Sequence, residues 1–152
     1  MRNPLVIPLL VAASVAFASS SSGHKQSPPE KKQDGSSQKK AALASSLAVN
    51  VRDGVRFTLN VRNNGTRMVE LKFPNGKTHD FYVLDESGRE IWRWSKGRMF
   101  TQTLQNKLIK AKENAVFADS WNASNAHGKF TAVAVLASAN HPVEERVQFA
   151  LR

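Results

Sequence analysis

Val55-Arg56-Phe57-Thr58-Leu59-Asn60-Val61-Arg62-Asn63-Asn64-Gly65 is the stretch that decides the fold. Its apolar side chains fall at 55, 57, 59 and 61, and its polar ones at 56, 58, 60 and 62. A period of two marks a strand with one buried face, because successive side chains leave opposite sides of the backbone. Asn63-Asn64-Gly65 then turns the chain with residues that accept positive φ at little cost.

The pattern continues downstream. Val69, Leu71 and Phe73 face one way and Glu70 and Lys72 the other, before a second turn at Pro74-Asn75-Gly76. Phe81 and Val83 lie inward on the next strand, and Asp85-Glu86-Ser87-Gly88 turns the chain into Glu90-Ile91-Trp92-Arg93-Trp94. Trp92 and Trp94 share a face and read as core packing, with Arg93 opposite. Phe100 to Leu108 fits either a strand or a single helical turn. Ala115 to Trp121 is a strand candidate, and Asn122 to Lys129 a loop. Phe130 to Ala137 is apolar on both faces, as an interior strand would be. Val147, Phe149 and Leu151 alternate with polar residues in a last strand. Turns this closely spaced predict an all-β antiparallel sandwich of seven or eight strands, with a period of two beginning near Leu43.

Upstream the composition changes twice. Arg2 precedes an apolar run from Leu5 to Phe17, and Ala16-Phe17-Ala18 places small residues where a signal peptidase reads them. The run is short for a bilayer span of about 20 residues, so 1–18 is expected to be a cleaved signal peptide rather than an anchor. Residues 19–40 are rich in Ser, Lys, Gln and Pro, with no large apolar side chain. Such a segment cannot bury enough surface to offset its ordering entropy, so a disordered basic linker is expected. The sandwich domain then occupies 41–152. The expectation is an exported protein, periplasmic, envelope-bound or secreted, and not an integral membrane protein after cleavage.

The chain carries 22 Lys and Arg against 12 Asp and Glu, a formal charge of +10. Up to Lys40 the balance is 6 − 2 = +4, and after it 16 − 10 = +6. Spread in this way, with Glu70, Asp80, Asp85, Glu86 and Glu90 interrupting it, the charge reads as a solvated surface and not a nucleic-acid footprint. With no cysteine, thiol nucleophiles, thiolate metal sites and a lipidated N-terminal cysteine are excluded. The four histidines, His24, His79, His127 and His141, sit in the linker or by turns and never at metal-ligand spacing. No G-x-S-x-G elbow or phosphate-binding glycine loop occurs. No catalytic, cofactor or metal residue is therefore proposed, and the chain is expected not to be an enzyme.

Ser95-Lys96-Gly97-Arg98-Met99 breaks the alternation between strong strands and carries two cations around a glycine. Functional surfaces favour loops held by a rigid scaffold, which makes Ser95, Lys96, Gly97, Arg98 and Met99 the candidate partner-binding residues.

Three motifs carry a family resemblance. They are Phe57-Thr58-Leu59-Asn60-Val61 with Asn63-Asn64-Gly65, then Val69-Glu70-Leu71-Lys72-Phe73-Pro74-Asn75-Gly76 leading to Asp80-Phe81 and Val83, then Trp92-Arg93-Trp94-Ser95 running into Met99-Phe100-Thr101-Gln102. In this order they resemble the BsuPI family of intracellular proteinase inhibitors. The resemblance implies an immunoglobulin-like β-sandwich and a protein partner, a serine proteinase, but no particular reactive site. An export signal is a departure from the family's name. An adhesion or scaffold module of the cell envelope is the alternative, and a hydrolase with dispersed catalytic residues is a third reading.

Overall fold

The computed structural model describes residues 42–152, which form nine β-strands with no helix among them. The expected signal peptide and linker, and Ala41, lie outside the described residues. In chain order the strands are β1 (Leu43–Val51), β2 (Val55–Asn63), β3 (Val69–Phe73), β4 (His79–Leu84) and β5 (Glu90–Arg93). They continue with β6 (Gln105–Ile109), β7 (Asn114–Trp121), β8 (Gly128–Leu136) and β9 (Val143–Leu151).

The expected antiparallel sandwich is present, but with nine strands rather than seven or eight. The added strand is β1. Its alternation is weak in sequence because Ala44, Ser45, Ser46 and Ala48 differ little in polarity. What secures it is pairing with β2 along its whole length, from Leu43 opposite Asn63 to Val51 opposite Val55. Asp53 and Gly54, at φ 43° and 117°, make the connecting turn. Phe100 to Leu108, open between strand and helix, is irregular as far as Leu104 and then enters β6.

The strands form three antiparallel sheets, ordered β1-β2-β7, β3-β6 and β5-β4-β8-β9. One core draws on all of them: Leu47, Phe57, Leu59 and Val61 from the first, Leu71, Phe73 and Ile109 from the second, Phe81, Val83, Ala132 and Leu136 from the third. β8 lies between β4 and β9, and Val133, on its outer face opposite Tyr82 and Arg146, is as buried as its inward neighbours. This explains the two-sided apolar pattern of that strand. Between β1 and β9 the Ser45 hydroxyl donates to the Glu145 carboxylate, joining the two outer strands.

Only β1–β2, β4–β5 and β8–β9 are hairpins. The turns at 63–65 and 74–76 instead carry the chain from one sheet to another. Asn63 is the pin of the first. It is fully buried, and its side-chain amide donates to the carbonyls of Arg67 (2.7 Å) and Ile109 (3.0 Å) while its oxygen accepts from Gly65 N–H (2.9 Å). A buried amide is tolerated only with its hydrogen bonds made, and here the three tie the ends of β2, β3 and β6 together. The outer edge of β3 is covered similarly. Lys72 N–H donates to Asn140 Oδ1 (2.9 Å), and Asn140 Nδ2 donates to the Glu70 carbonyl (2.8 Å). A side chain thus occupies positions that would otherwise template another strand.

The register is open to a direct test. Leu59→Ala, in the core, is expected to destabilise the protein by about 2–5 kcal/mol in chemical denaturation. Thr58→Ala, on the outward face, is expected to change stability by less than about 0.5 kcal/mol. Equal losses would mean that β2 is registered the other way.

Candidate partner-binding loop

The loop between β5 and β6 starts from a buried carboxylate. On β4, Phe81 and Val83 fill the core, so Asp80 and Tyr82 alternate onto the opposite face. Arg93 of β5 is registered opposite Tyr82, and its guanidinium stacks over that ring at 4.2 Å. Arg93 Nη1 also donates to Asp80 Oδ2 at 2.9 Å, and Lys77 Nζ meets the same oxygen at 2.7 Å. Ser95 donates to Asp80 twice, from Oγ (2.6 Å) and from its backbone N–H (3.2 Å). Asp80 is only 2% exposed. A buried carboxylate is stable when its lone pairs are filled by charged donors, as they are here. Burial acts to raise the Asp80 pKa, but the hydrogen bonds from Lys77, Ser95 and Arg93 outweigh it and hold the carboxyl below its ordinary value.

From this anchor the chain makes a tight turn. Trp94 N–H donates to the Phe81 carbonyl (2.8 Å), and Arg98 N–H donates to the Ser95 carbonyl (3.1 Å). Gly97 sits at the third position with φ 78°, where a type II turn needs the left-handed region and a side chain would be strained. Arg98 then folds back. Its Nε donates to the Trp94 carbonyl (3.0 Å) and its guanidinium lies 4.6 Å from the centre of the Trp94 ring. Phe100 also packs on Trp94, with ring centroids 5.6 Å apart. At the far end the Thr101 carbonyl accepts from Gly76 N–H at 2.8 Å. A Cβ on Gly76 would stand 2.5 Å from Thr101 Oγ1, so only glycine allows this approach. Met99, between Arg98 and Phe100, is 98% exposed.

The five candidate residues therefore have different places. Ser95 belongs to the base, Gly97 makes the turn, Arg98 is bound to Trp94, and Lys96 and Met99 project. The supporting residues Gly76, Lys77 and Asp80 lie on and before β4, fifteen to nineteen positions before Ser95. Single polar residues beside a Pro-Asn-Gly turn carry no sequence sign of this partnership.

His79 lies behind the loop. Its ring stacks on Trp94 (4.6 Å) and packs against Phe117 (5.2 Å), while Nε2 lies 3.3 Å from Asp119 Oδ2 and Nδ1 3.0 Å from Thr78 Oγ1. The imidazole thus touches a hydroxyl on one side and a carboxylate on the other, but it is packed as an aromatic ring against Trp94, Phe81 and Phe117. Burial lowers its pKa, and the Asp119 hydrogen bond and charge only partly offset this. Trp92, the other expected core tryptophan, stacks between Phe57 (5.5 Å) and Trp121 (6.0 Å). Among the described residues no three His, Asp or Glu side chains are grouped to hold a metal ion, and no helix is long and apolar enough to cross a membrane.

His79 and the depressed carboxyls of Asp80, Asp85 and Glu90 define an acid response. A histidine whose folded pKa lies below the unfolded value of about 6.5 favours folding fully above that pH and loses this contribution as pH falls below it. A depressed carboxyl contributes above about pH 4 and is lost below that. The thermal midpoint of the protein is expected to fall first below about pH 6.5 and again below about pH 4. His79→Gln is expected to flatten the first fall; an unchanged slope would exclude His79 as its source.

Comparison with known proteins gives one family. Residues 43–141, 99 of the 152, match BsuPI, described as intracellular proteinase inhibitor. No curated protein matches the chain. Among solved structures, the yjhA protein from Bacillus subtilis is 14% identical over 70% of this chain and 89% of its own, with a TM-score of 0.37. DesR, a β-glucosidase from Streptomyces venezuelae, is 14% identical over 70% of this chain and 14% of its own, with a TM-score of 0.35. The Bacteroides uniformis β-glucuronidase is 13% identical over 73% and 13%, with a TM-score of 0.37. The chain spans only a small part of these glycosidases, and likeness at this level carries no argument about activity.

Proposed function

The chain belongs to the BsuPI family, whose description is intracellular proteinase inhibitor, and on that footing we propose that it is an exported, non-enzymatic inhibitor of serine proteinases that binds through the loop carrying Ser95 to Met99. The observation that carries this reading is the restraint of the loop at both ends, by Asp80 on Ser95 and by Gly76 on Thr101, with Met99 projecting between. Association loses less freedom when the inserted segment already holds its bound shape, which is how a small surface loop can bind tightly. Inhibition then follows from occupying the cleft. Export rests on Arg2, the apolar run from Leu5 to Phe17 and Ala16-Phe17-Ala18, and implies a target outside the cytosol despite the family's name.

One observation favours an envelope module instead. β7 is the last strand of its sheet and carries Val116, an exposed large apolar residue. Such an edge can accept a partner strand.

Titration of the purified full chain against serine proteinases, subtilisin-like enzymes first, separates the two. Inhibition is expected, with the chain recovered largely intact. Gly76→Ala, which forces Thr101 away, is expected to weaken inhibition at least tenfold while the fold is retained. Absence of inhibition by a folded protein would favour the module. Independently, mature protein from the exporting host is expected to begin at Ser19; recovery of Met1 in the membrane fraction would indicate an anchor.

A further inference from the structure

Within the loop the side chains are used unequally, and the inequality bears on which proteinase it fits. The sequence offers three candidates within four positions for insertion into a primary specificity pocket: Lys96, Arg98 and Met99. Arg98 is already committed, with Nε on the Trp94 carbonyl and its guanidinium over the Trp94 ring. To enter a pocket it would have to give up a hydrogen bond and a cation–π contact, and the loop would lose one of its supports. Lys96 stands at the second position of the turn closed by the Ser95–Arg98 hydrogen bond, where the chain reverses. A substrate-like segment must lie extended across a cleft, and a tight turn does not. Phe100 is packed on Trp94.

Met99 differs from Lys96, Arg98 and Phe100. The residues on both sides of it are held to the same indole, which turns its own side chain outward to 98% exposure. Past the turn, Arg98 to Thr101 adopts neither helix nor strand, and no residue there has a positive φ. Leu104, also exposed at 76%, lies beyond the Gly76–Thr101 hydrogen bond and outside the restrained segment. A fully exposed thioether side chain gains from burial in an apolar slot, and its unbranched shape lets it fit slots of different outline. It offers nothing to a pocket with a carboxylate at its base.

We propose that Met99 is the anchoring residue of the loop, and that the partner is a serine proteinase whose primary pocket takes a large apolar side chain, not one selective for Lys or Arg. This rests on the inhibitor reading and adds the identity of the anchor and the class of target. Lys96 and Arg98 make the loop basic, but neither is in place to fill an acidic pocket.

The test uses the full chain and three enzymes: subtilisin, chymotrypsin with its hydrophobic slot, and trypsin with an aspartate in the equivalent pocket. The wild-type chain is expected to inhibit at least one of the first two and to spare trypsin. Met99→Ala is expected to weaken that inhibition tenfold or more, about 1.4 kcal/mol. Met99→Lys is expected to move inhibition toward trypsin. Because Met99 touches solvent almost everywhere, both variants should keep the wild-type thermal midpoint, which is measured alongside. Inhibition of subtilisin or chymotrypsin that is indifferent to Met99→Ala would overturn the anchor while leaving the inhibitor reading in place. Wild-type inhibition of trypsin alone would overturn the target class. No inhibition of any of the three by the folded chain would remove the inhibitor reading, and this proposal with it.

Discussion

Phe57 is the residue through which the two sides of the sandwich meet. Its ring lies against Phe81 (5.7 Å) and Trp92 (5.5 Å) from the four-stranded sheet and edge-on to Phe149 (6.4 Å) of β9. Trp92 in turn stacks on Trp121, and Trp121 meets Phe130. The chain has no disulfide to restrain it, so cohesion between the layers rests on such apolar contact. Aromatic side chains suit the task because each buries a large area and is fixed by only two side-chain torsions.

The consequence reaches the loop by way of β5. This strand is four residues long and paired with β4 alone, in a register that shifts between Val83 and Leu84. A short edge strand is weakly specified by its backbone, and it is Trp92, packed under Phe57, that fixes which face of β5 points inward. Arg93 is then obliged to face outward, where Asp80 and Tyr82 await it. The polar anchor of the loop is therefore a by-product of aromatic packing on the other side of the same sheet. Burial of Asp80 makes the anchor demanding, since removing a donor would leave a carboxylate short of partners away from water.

Rigidity in the loop is thus obtained without regular structure. Asp80 holds its beginning and Gly76 its end, while Trp94 serves as a platform for Arg98 and Phe100. Each contact is made by a residue outside the loop or at its margin, which leaves Met99 and Lys96 free of structural duties. The division suits a binding surface, where residues that meet a partner should be able to vary without unfolding what holds them. His79, packed beneath Trp94, couples this platform to acid conditions. Charging the imidazole would place a cation in the aromatic layer that supports the loop.

The strands of the core were legible in sequence wherever one face is strongly apolar and the other polar, as in β2 and β3. β1 was marked only by the onset of the period of two near Leu43 and not counted as a strand of its own, because alanine and serine blur that contrast, although Asp53-Gly54 between it and β2 is a pairing that favours hairpins. The turns at 63–65 and 74–76 could be located but not interpreted, since a turn signal does not say whether the next strand pairs with the last or crosses to another sheet. Local residues determined the all-β class, the period of two, the inward set around Phe57 and the break after Trp94, because backbone preference and side-chain alternation act over a few positions. Tertiary structure alone decided that Asp80 and Gly76 support the loop, that Arg98 folds back onto Trp94 and that Met99 projects. Those outcomes depend on distances between residues remote in the chain, and no local pattern encodes them.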